Sequence, residues 1–292
     1  MYEKILVPLD GSNLAEAALP YAEELARKVG SQIYLISVLP SGSESDEDQS
    51  QHLRQFYIDG MTKAIKQKGI KIKSEIITGD PGDQILGYVD SNNIDLIIMG
   101  TRGRSVLQRW ILGSVADKVV SSASCPVALI STDNTEAKVH HGQILRKALV
   151  ILDGSTEGEV IIPYVEEIAS RLRMQVTLLR LEEISNEYAE GALLYGPVHT
   201  SEEKKSSIRA KARRHLRKIA DQLENKGIPV EVKVRISDSS ETIIKVAKQV
   251  DADVLALATR GRPGISRWIF GSVRDEIVNI GNTLVLLVRI PE

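Results

Sequence analysis

The sequence predicts an α/β protein built as two tandem doubly wound domains, each a five-stranded parallel sheet with helices on both faces. Three observations predict it. The chain of 292 residues repeats itself once. Within each copy, short apolar runs alternate with helical patterns. The runs are apolar on both faces, as strands buried between two helix layers must be.

The repeat comes first. "KILVPLDGSNLAEAALPYAEELA" (4–26) aligns with "KALVILDGSTEGEVIIPYVEEIA" (147–169). Asp10-Gly11-Ser12 falls on Asp153-Gly154-Ser155, and Pro20-Tyr21 on Pro163-Tyr164. "KGIKIKSEIITGD" (68–80) aligns with "KGIPVEVKVRISD" (226–238). The expected domains are 1–131 and 146–292, joined by a polar, unpatterned linker at 132–145. This period is far longer than that of a solenoid, so each copy is a domain.

Each element then has its own signal. Lys4–Leu9 and Lys147–Leu152 are apolar runs ending at Asp-Gly, which suits buried strands. A helix follows, with Leu14, Ala17, Ala18, Tyr21, Ala22, Leu25 and Ala26 at helical spacing and Gly30 as its stop. Second strands are "QIYLISVL" (32–39) and "QVTLLRL" (175–181). Long amphipathic helices end at Gly69 and Gly227. A third strand, a short helix (82–92; 240–250) and a very apolar fourth strand (94–99; 252–258) come next. The last strands are "PVALIS" (126–131) and "TLVLLVR" (283–289). Right-handed crossovers leave a doubly wound order as the expected topology.

Composition narrows the function classes. The formal net charge is −2, which implies no global attraction to nucleic acid or anionic membrane. No stretch approaches the ~20 apolar residues of a spanning helix. The start "MYEKILVPLDGS" has no signal-peptide pattern, and the single cysteine, Cys125, allows no intramolecular disulfide framework. A cytoplasmic protein without nucleic-acid or membrane partners is expected. The five histidines show no zinc spacing, and no Ser/His/Asp set is suggested. The basic helix at 204–227 reads as a solvated face over a buried stripe of Ile208, Ala212, Leu216, Ile219 and Leu223.

One block carries chemistry. "GTRGRSVLQRWILGS" (100–114) follows the fourth strand, and "ATRGRPGISRWIFGS" (258–272) is its twin. In open parallel sheets, ligands bind outside the carboxyl ends of the strands. Gly100 and Gly103 let a ligand approach the backbone, and successive N–H groups in such a turn cradle anions. Gly113-Ser114 opens a helix whose first-turn N–H groups attract phosphate, with Ser114 read as its cap. The pattern is neither a P-loop nor the dinucleotide fingerprint. Asp10, after the first strand, can reach a ribose hydroxyl. Trp110 and Trp268 are read as core.

The spacing Gly100-x2-Gly103-x9-Gly113-Ser114, with "ILVPLDGS" ahead of it and "CPV" behind it, resembles the ATP-binding motif of the universal stress protein family. The resemblance covers almost the whole chain, once per copy. It implies an adenine nucleotide alpha hydrolase-like fold and ATP as ligand, with magnesium as an optional companion. It implies that Asp10 contacts ribose and that Pro8 and Val38 flank adenine. Met99, Gly100 and Gly103 would line the turn, and Gly113, Ser114 and Val115 would hold phosphates. In the second copy it carries over to Asp153, Leu181, Gly261, Gly271, Ser272 and Val273. Ile151, Leu181, Leu257 and Ala258 depart from the pattern at the positions of Pro8, Val38, Met99 and Gly100, the first two by apolar residues that the site tolerates. Whether Ala258 allows binding is open, because a methyl group penalises positive φ.

The resemblance implies an ATP-binding regulatory protein of the stress response. The alternatives are a nucleotide-independent interaction module and a slow ATPase. The two domains are expected to form a pseudo-dimer through their last strands, and association of two chains is open. Segments after the second strands, with Tyr188 and Tyr195 in the second copy, are expected to be mobile flaps.

Overall fold

A computed structural model describes residues 1–40, 47–101, 112–131, 143–182, 202–237, 240–259 and 283–290. In the first copy the elements are β1 (Lys4–Pro8), α1 (Asn13–Glu16), α2 (Leu19–Val29), β2 (Gln32–Leu39), α3 (Glu47–Gln67), β3 (Ile72–Thr78), α4 (Pro81–Asn92), β4 (Leu96–Gly100), α5 (Ser114–Ser122) and β5 (Val127–Ile130). The second copy gives β6 (Lys147–Leu152), a 3-10 turn (Glu157–Ile161), α6 (Ile162–Leu172), β7 (Gln175–Glu182), α7 (Glu202–Glu224), β8 (Val230–Ile236), α8 (Ser240–Val250), β9 (Val254–Thr259) and β10 (Leu284–Arg289).

The strands form one sheet of ten, in the order β3-β2-β1-β4-β5-β10-β9-β6-β7-β8. Each copy is a parallel half, as the alternation predicts. The halves meet where β5 and β10 pair antiparallel, Leu129 opposite Val285 and Ala128 opposite Leu286. Each last strand would otherwise present a row of unpaired N–H and C=O groups, and each covers the other's edge.

Strand alternation sends side chains to two apolar layers. One layer holds Ile5, Val7, Ile33 and Leu35 with Leu25, Ile58 and Ile65, and continues into the second copy at Val150, Leu178 and Leu216. The other holds Leu6, Ile36, Ile97 and Met99 with Ile85 and Val119, and continues at Leu149, Leu255 and Val246. Both layers run across the β5–β10 seam, so the copies share their cores.

Two local expectations need correction. The single helix expected at 14–26 is broken into α1 and α2, and in the second copy into a 3-10 turn and α6. Pro20 and Pro163 stand in the first turn of α2 and α6. Proline lacks an N–H and crowds the carbonyl four residues back, so the ladder restarts there. The polar linker also ends in core: Ile144 and Leu145 are buried. Their amides donate to Glu24 Oε2 at 2.8 and 3.3 Å. Tyr2 ties the copies further, its hydroxyl donating to the Tyr164 carbonyl at 3.1 Å. Gly30 stops α2 as expected, with φ of 85°.

Candidate functional site

The carboxyl edge of the first copy begins at β1. Past Pro8, the Leu9 amide donates to Ile36 O at 2.8 Å. Ser37 Oγ donates to Leu9 O at 2.7 Å, fixing the strand end. The chain then turns at Asp10-Gly11-Ser12, where Gly11 has φ of 77°, a conformation that favours glycine. Asp10 Oδ1 accepts from the Ser12 amide at 2.9 Å and from Ser12 Oγ at 2.5 Å. Ser12 Oγ in turn accepts from the Ala15 amide at 3.2 Å and caps α1. The turn therefore orients the Asp10 carboxylate at the sheet edge.

The glycine block starts at the end of β4. Gly100 pairs with Ile130, and the next amide, Thr101, donates to Ile130 O at 3.0 Å. Gly113 N donates to Thr101 O at 2.9 Å, which ties the start of α5 to the end of β4. Gly113 is the N-cap, with φ −62° and ψ 149°, and no side chain caps the helix. Ser114 is thus the first helical residue and is exposed, not the cap. The first-turn N–H groups of Ser114, Val115 and Ala116 lack intrahelical acceptors and carry the positive end of the helix dipole.

Alternation brings the remaining residues to the same face. Met99 joins Leu6, Ile36, Leu112 and Ala116 in one apolar layer, with Val115 packed against it. Pro8 and Val38 follow Leu6 and Ile36 by two residues and share their face, both half-buried. Pro8, Asp10, Val38, Met99, Gly100, Gly113, Ser114 and Val115 therefore converge on one edge. Gly103 and Trp110 lie outside the described residues.

The second copy repeats the frame. Asp153 Oδ1 accepts from the Ser155 amide at 2.8 Å and Ser155 Oγ at 2.6 Å, and Ser155 Oγ accepts from Gly158 N at 2.9 Å. Ile151 and Leu181 pack against the layer that holds Leu179 and Leu257. Gly261, Trp268, Gly271, Ser272 and Val273, and the flap residues Tyr188 and Tyr195, lie outside the described residues.

Ala258 lies on regular strand backbone. Neither it nor Gly100 has positive φ, so the backbone does not demand glycine there. Ala258 sits in β9 opposite Val288, and its methyl enters the other layer, the one that also holds Ala256 and Val288. It points away from the face that carries Leu181 and Leu257. Ala258→Gly is expected to cost about 1 kcal/mol, for one buried methyl and a freer strand backbone. Urea denaturation checks this, and an unchanged midpoint would contradict the core placement.

Sequence reasoning passed over three polar residues at this edge. Tyr57 on α3 donates to Glu16 at 2.9 Å; His215 on α7 and Arg180 on β7 occupy the matching place in the second copy. Aligning Gly69 with Gly227 sets Tyr57 on His215, and that alignment was the available signal. Burial, then the bond to Glu16, then the charges of Glu16 and Asp10 raise the Tyr57 hydroxyl far above the physiological range. Cys125 is half-buried, and burial pushes its thiol up to about 12, so it stays protonated, in keeping with an unreactive packing residue. Among the described residues no group of three or more His, Cys, Asp or Glu gathers as a metal site, and no helix is long and apolar enough to cross a membrane.

The sequence model of the universal stress protein family matches residues 1–131 and again 145–289. A universal stress protein of Methanocaldococcus jannaschii is 32% identical over 146 residues, which span 47% of this chain and 86% of that protein. The crystal structure of a universal stress protein from Archaeoglobus fulgidus covers 100% of both chains with a TM-score of 0.73 at 20% identity, a likeness of fold. A structure of the universal stress protein from Archaeoglobus fulgidus in complex with dAMP is 27% identical, covers 44% of this chain and 97% of that one, and has a TM-score of 0.37.

Proposed function

The chain belongs to the universal stress protein family, and from that premise we propose that its first copy binds an adenine nucleotide, ATP in particular, and that binding regulates its association with partners in the stress response. One observation carries the reading: an uncapped helix start, a fixed carboxylate and an apolar wall meet at one sheet edge. Phosphates would lie on the Ser114 and Val115 amides, beside Gly100 and Gly103. Asp10 would accept from the ribose, and Pro8, Val38 and Met99 would flank the base. Magnesium would accompany the phosphates rather than occupy a protein cage.

The second copy is proposed as a site of the same kind, using Asp153, Leu181, Gly261, Gly271, Ser272 and Val273. The orientation of the Ala258 methyl supports this. A cytoplasmic setting belongs to the same reading and rests on the lone Cys125. Domains at 1–131 and 146–292 remain the proposed division, with the pseudo-dimer of the two copies as the functional unit.

Isothermal titration with ATP, ADP and AMP, each with magnesium and with EDTA, tests the proposal. Saturable binding of one to two equivalents is expected. No heat with any of the three nucleotides sinks it and favours a nucleotide-independent interaction module.

A further inference from the structure

Helix α3 carries on its outer side a pattern that its own domain does not use. Ile58 and Ile65 are buried and seat the helix on the sheet. Tyr57 donates to Glu16 and Lys68 pairs with Glu23, which ties one flank to α1 and α2. The outward stripe runs Leu53, Phe56, Gly60, Ala64, at the spacing of one helix face. All four are exposed, Leu53 at 66% and Phe56 at 83%. Among the described residues, the other large apolar side chain left exposed is Met1, at the chain start.

The duplication provides an internal comparison. With Gly69 set on Gly227, the same stripe of α7 reads Lys211, Arg214, Lys218, Gln222. The buried positions stay apolar, Ile58 on Leu216 and Ile65 on Leu223. So α7 shows an ordinary solvated face, and α3 replaces it with apolar and small residues. Gly60 is the least expected of them, because glycine disfavours a helix interior. Its own fold does not require it: its φ is not positive, and a Cβ there would meet nothing within 4 Å. A second backbone crossing close to α3 would use that space.

A hollow of about 520 Å³ opens on the same helix, lined by Asp59, Thr62, Lys63, Lys66 and Gln67, and centred two turns past Phe56. A twofold axis at Gly60 lays two α3 helices antiparallel, with Phe56 opposite the partner's Ala64 and Leu53 opposite the partner's Gln67. Phe56 then enters the partner's hollow, where the aliphatic stems of Lys63 and Lys66 cover the ring and their ammonium groups meet its face. Asp59, which accepts from Gln55 Nε2 at 3.0 Å, comes within a turn of the partner's Lys63. Under twofold symmetry each of these contacts is made twice.

We propose that two chains associate by antiparallel pairing of their α3 helices about Gly60, the Phe56 ring of each seated in the hollow at 59–67 of the other. The occupant is a second chain because the surface complements itself: knob, hollow, small crossing residue and opposite charges stand in twofold order on one helix. The three cations of α7 exclude the same pairing there. One helix pair falls short of the ~1,200–2,000 Å² of a stable interface, so the dimer forms and dissociates with concentration. It is separate from the β5–β10 seam and from the nucleotide reading.

Sedimentation velocity on the full chain without nucleotide, from about 1 µM to about 1 mM, tests it. A monomer–dimer equilibrium is expected. Phe56→Arg, the residue of α7, should weaken association at least about 30-fold, as loss of a central aromatic anchor does. Gly60→Lys should abolish the dimer yet leave the urea midpoint at or above that of the parent, since lysine is the better helix former and has open space. That pairing of readouts separates contact from folding. A parent chain that stays monomeric throughout the range, a dimer that either variant leaves at parental strength, or a lowered midpoint in Gly60→Lys overturns the proposal.

Discussion

Leu286→Asp is expected to destabilise both copies together by several kcal/mol at pH 7.5, and by clearly less at pH 4.5. Leu286 is 1% exposed and pairs with Ala128 across the seam that joins the two halves of the sheet. An ionised carboxylate there would have no partner, and burial without a partner costs several kcal/mol. The group would respond by raising its folded pKa above the ordinary ~3.9, by up to about 3–5 units for full burial. The sign follows from linkage. With a raised folded pKa, the native state holds more protons than the unfolded state between the two values, so stability falls as pH rises through that window. Below the unfolded value only the packing loss remains. Because both layers cross the seam, the two copies should lose structure in one transition. Urea melts at the two pH values check this, each referred to the parent chain. An equal penalty at both would show that the side chain reaches water, and a transition confined to one copy would show that the seam is dispensable.

The seam illustrates what the sequence carries. Continuous apolar runs such as 94–99 and 252–258 can lie only between two helix layers, so the parallel halves were legible. That the last strands face each other was expected from the family resemblance, not from periodicity. Their fusion into one ten-stranded sheet with shared layers depends on long-range pairing, which no local pattern reports. The break at Pro20 was written in the sequence, but helical spacing from Leu14 to Ala26 continues straight through it. The burial of Ile144 and Leu145 was hidden because Glu24, which receives their amides, lies more than a hundred residues away.

The candidate site was legible where chemistry follows backbone position. Asp10 and Asp153 follow strand ends, and that fixes them at the carboxyl edge. Ser114 shows the limit: cap and first helical residue are adjacent, and only dihedral angles separate them. Ala258 was undecidable for a related reason, since φ and the side facing the ligand are geometric facts. Residues 57, 180 and 215 were missed because each looks like ordinary helix or strand polarity. Their meaning comes from Glu16, Gly154 and Glu159, which are remote in sequence.

Gly113→Glu should weaken nucleotide binding at the first site by at least about 100-fold. Gly113 has φ −62° and ψ 149°, dihedrals open to any residue, so no backbone strain follows from adding a side chain. A carboxylate at a helix N-terminus is favoured by about 0.3–1 kcal/mol, so α5 should not suffer. The same carboxylate would take the amides of Ser114 and Val115, which are the proposed phosphate donors. A phosphate brought within about 4 Å of it would meet a repulsion of about 4 kcal/mol at an effective dielectric of 20, enough for the expected loss. Gly113→Gln separates the two effects: it adds similar bulk without charge and should cost distinctly less. Titration with ATP checks both variants, with urea melts to confirm folding. If Glu and Gln weaken binding equally, sterics rather than charge govern the position. If neither matters, the phosphates do not lie on the start of α5, and the arrangement proposed for the site fails even though a nucleotide binds.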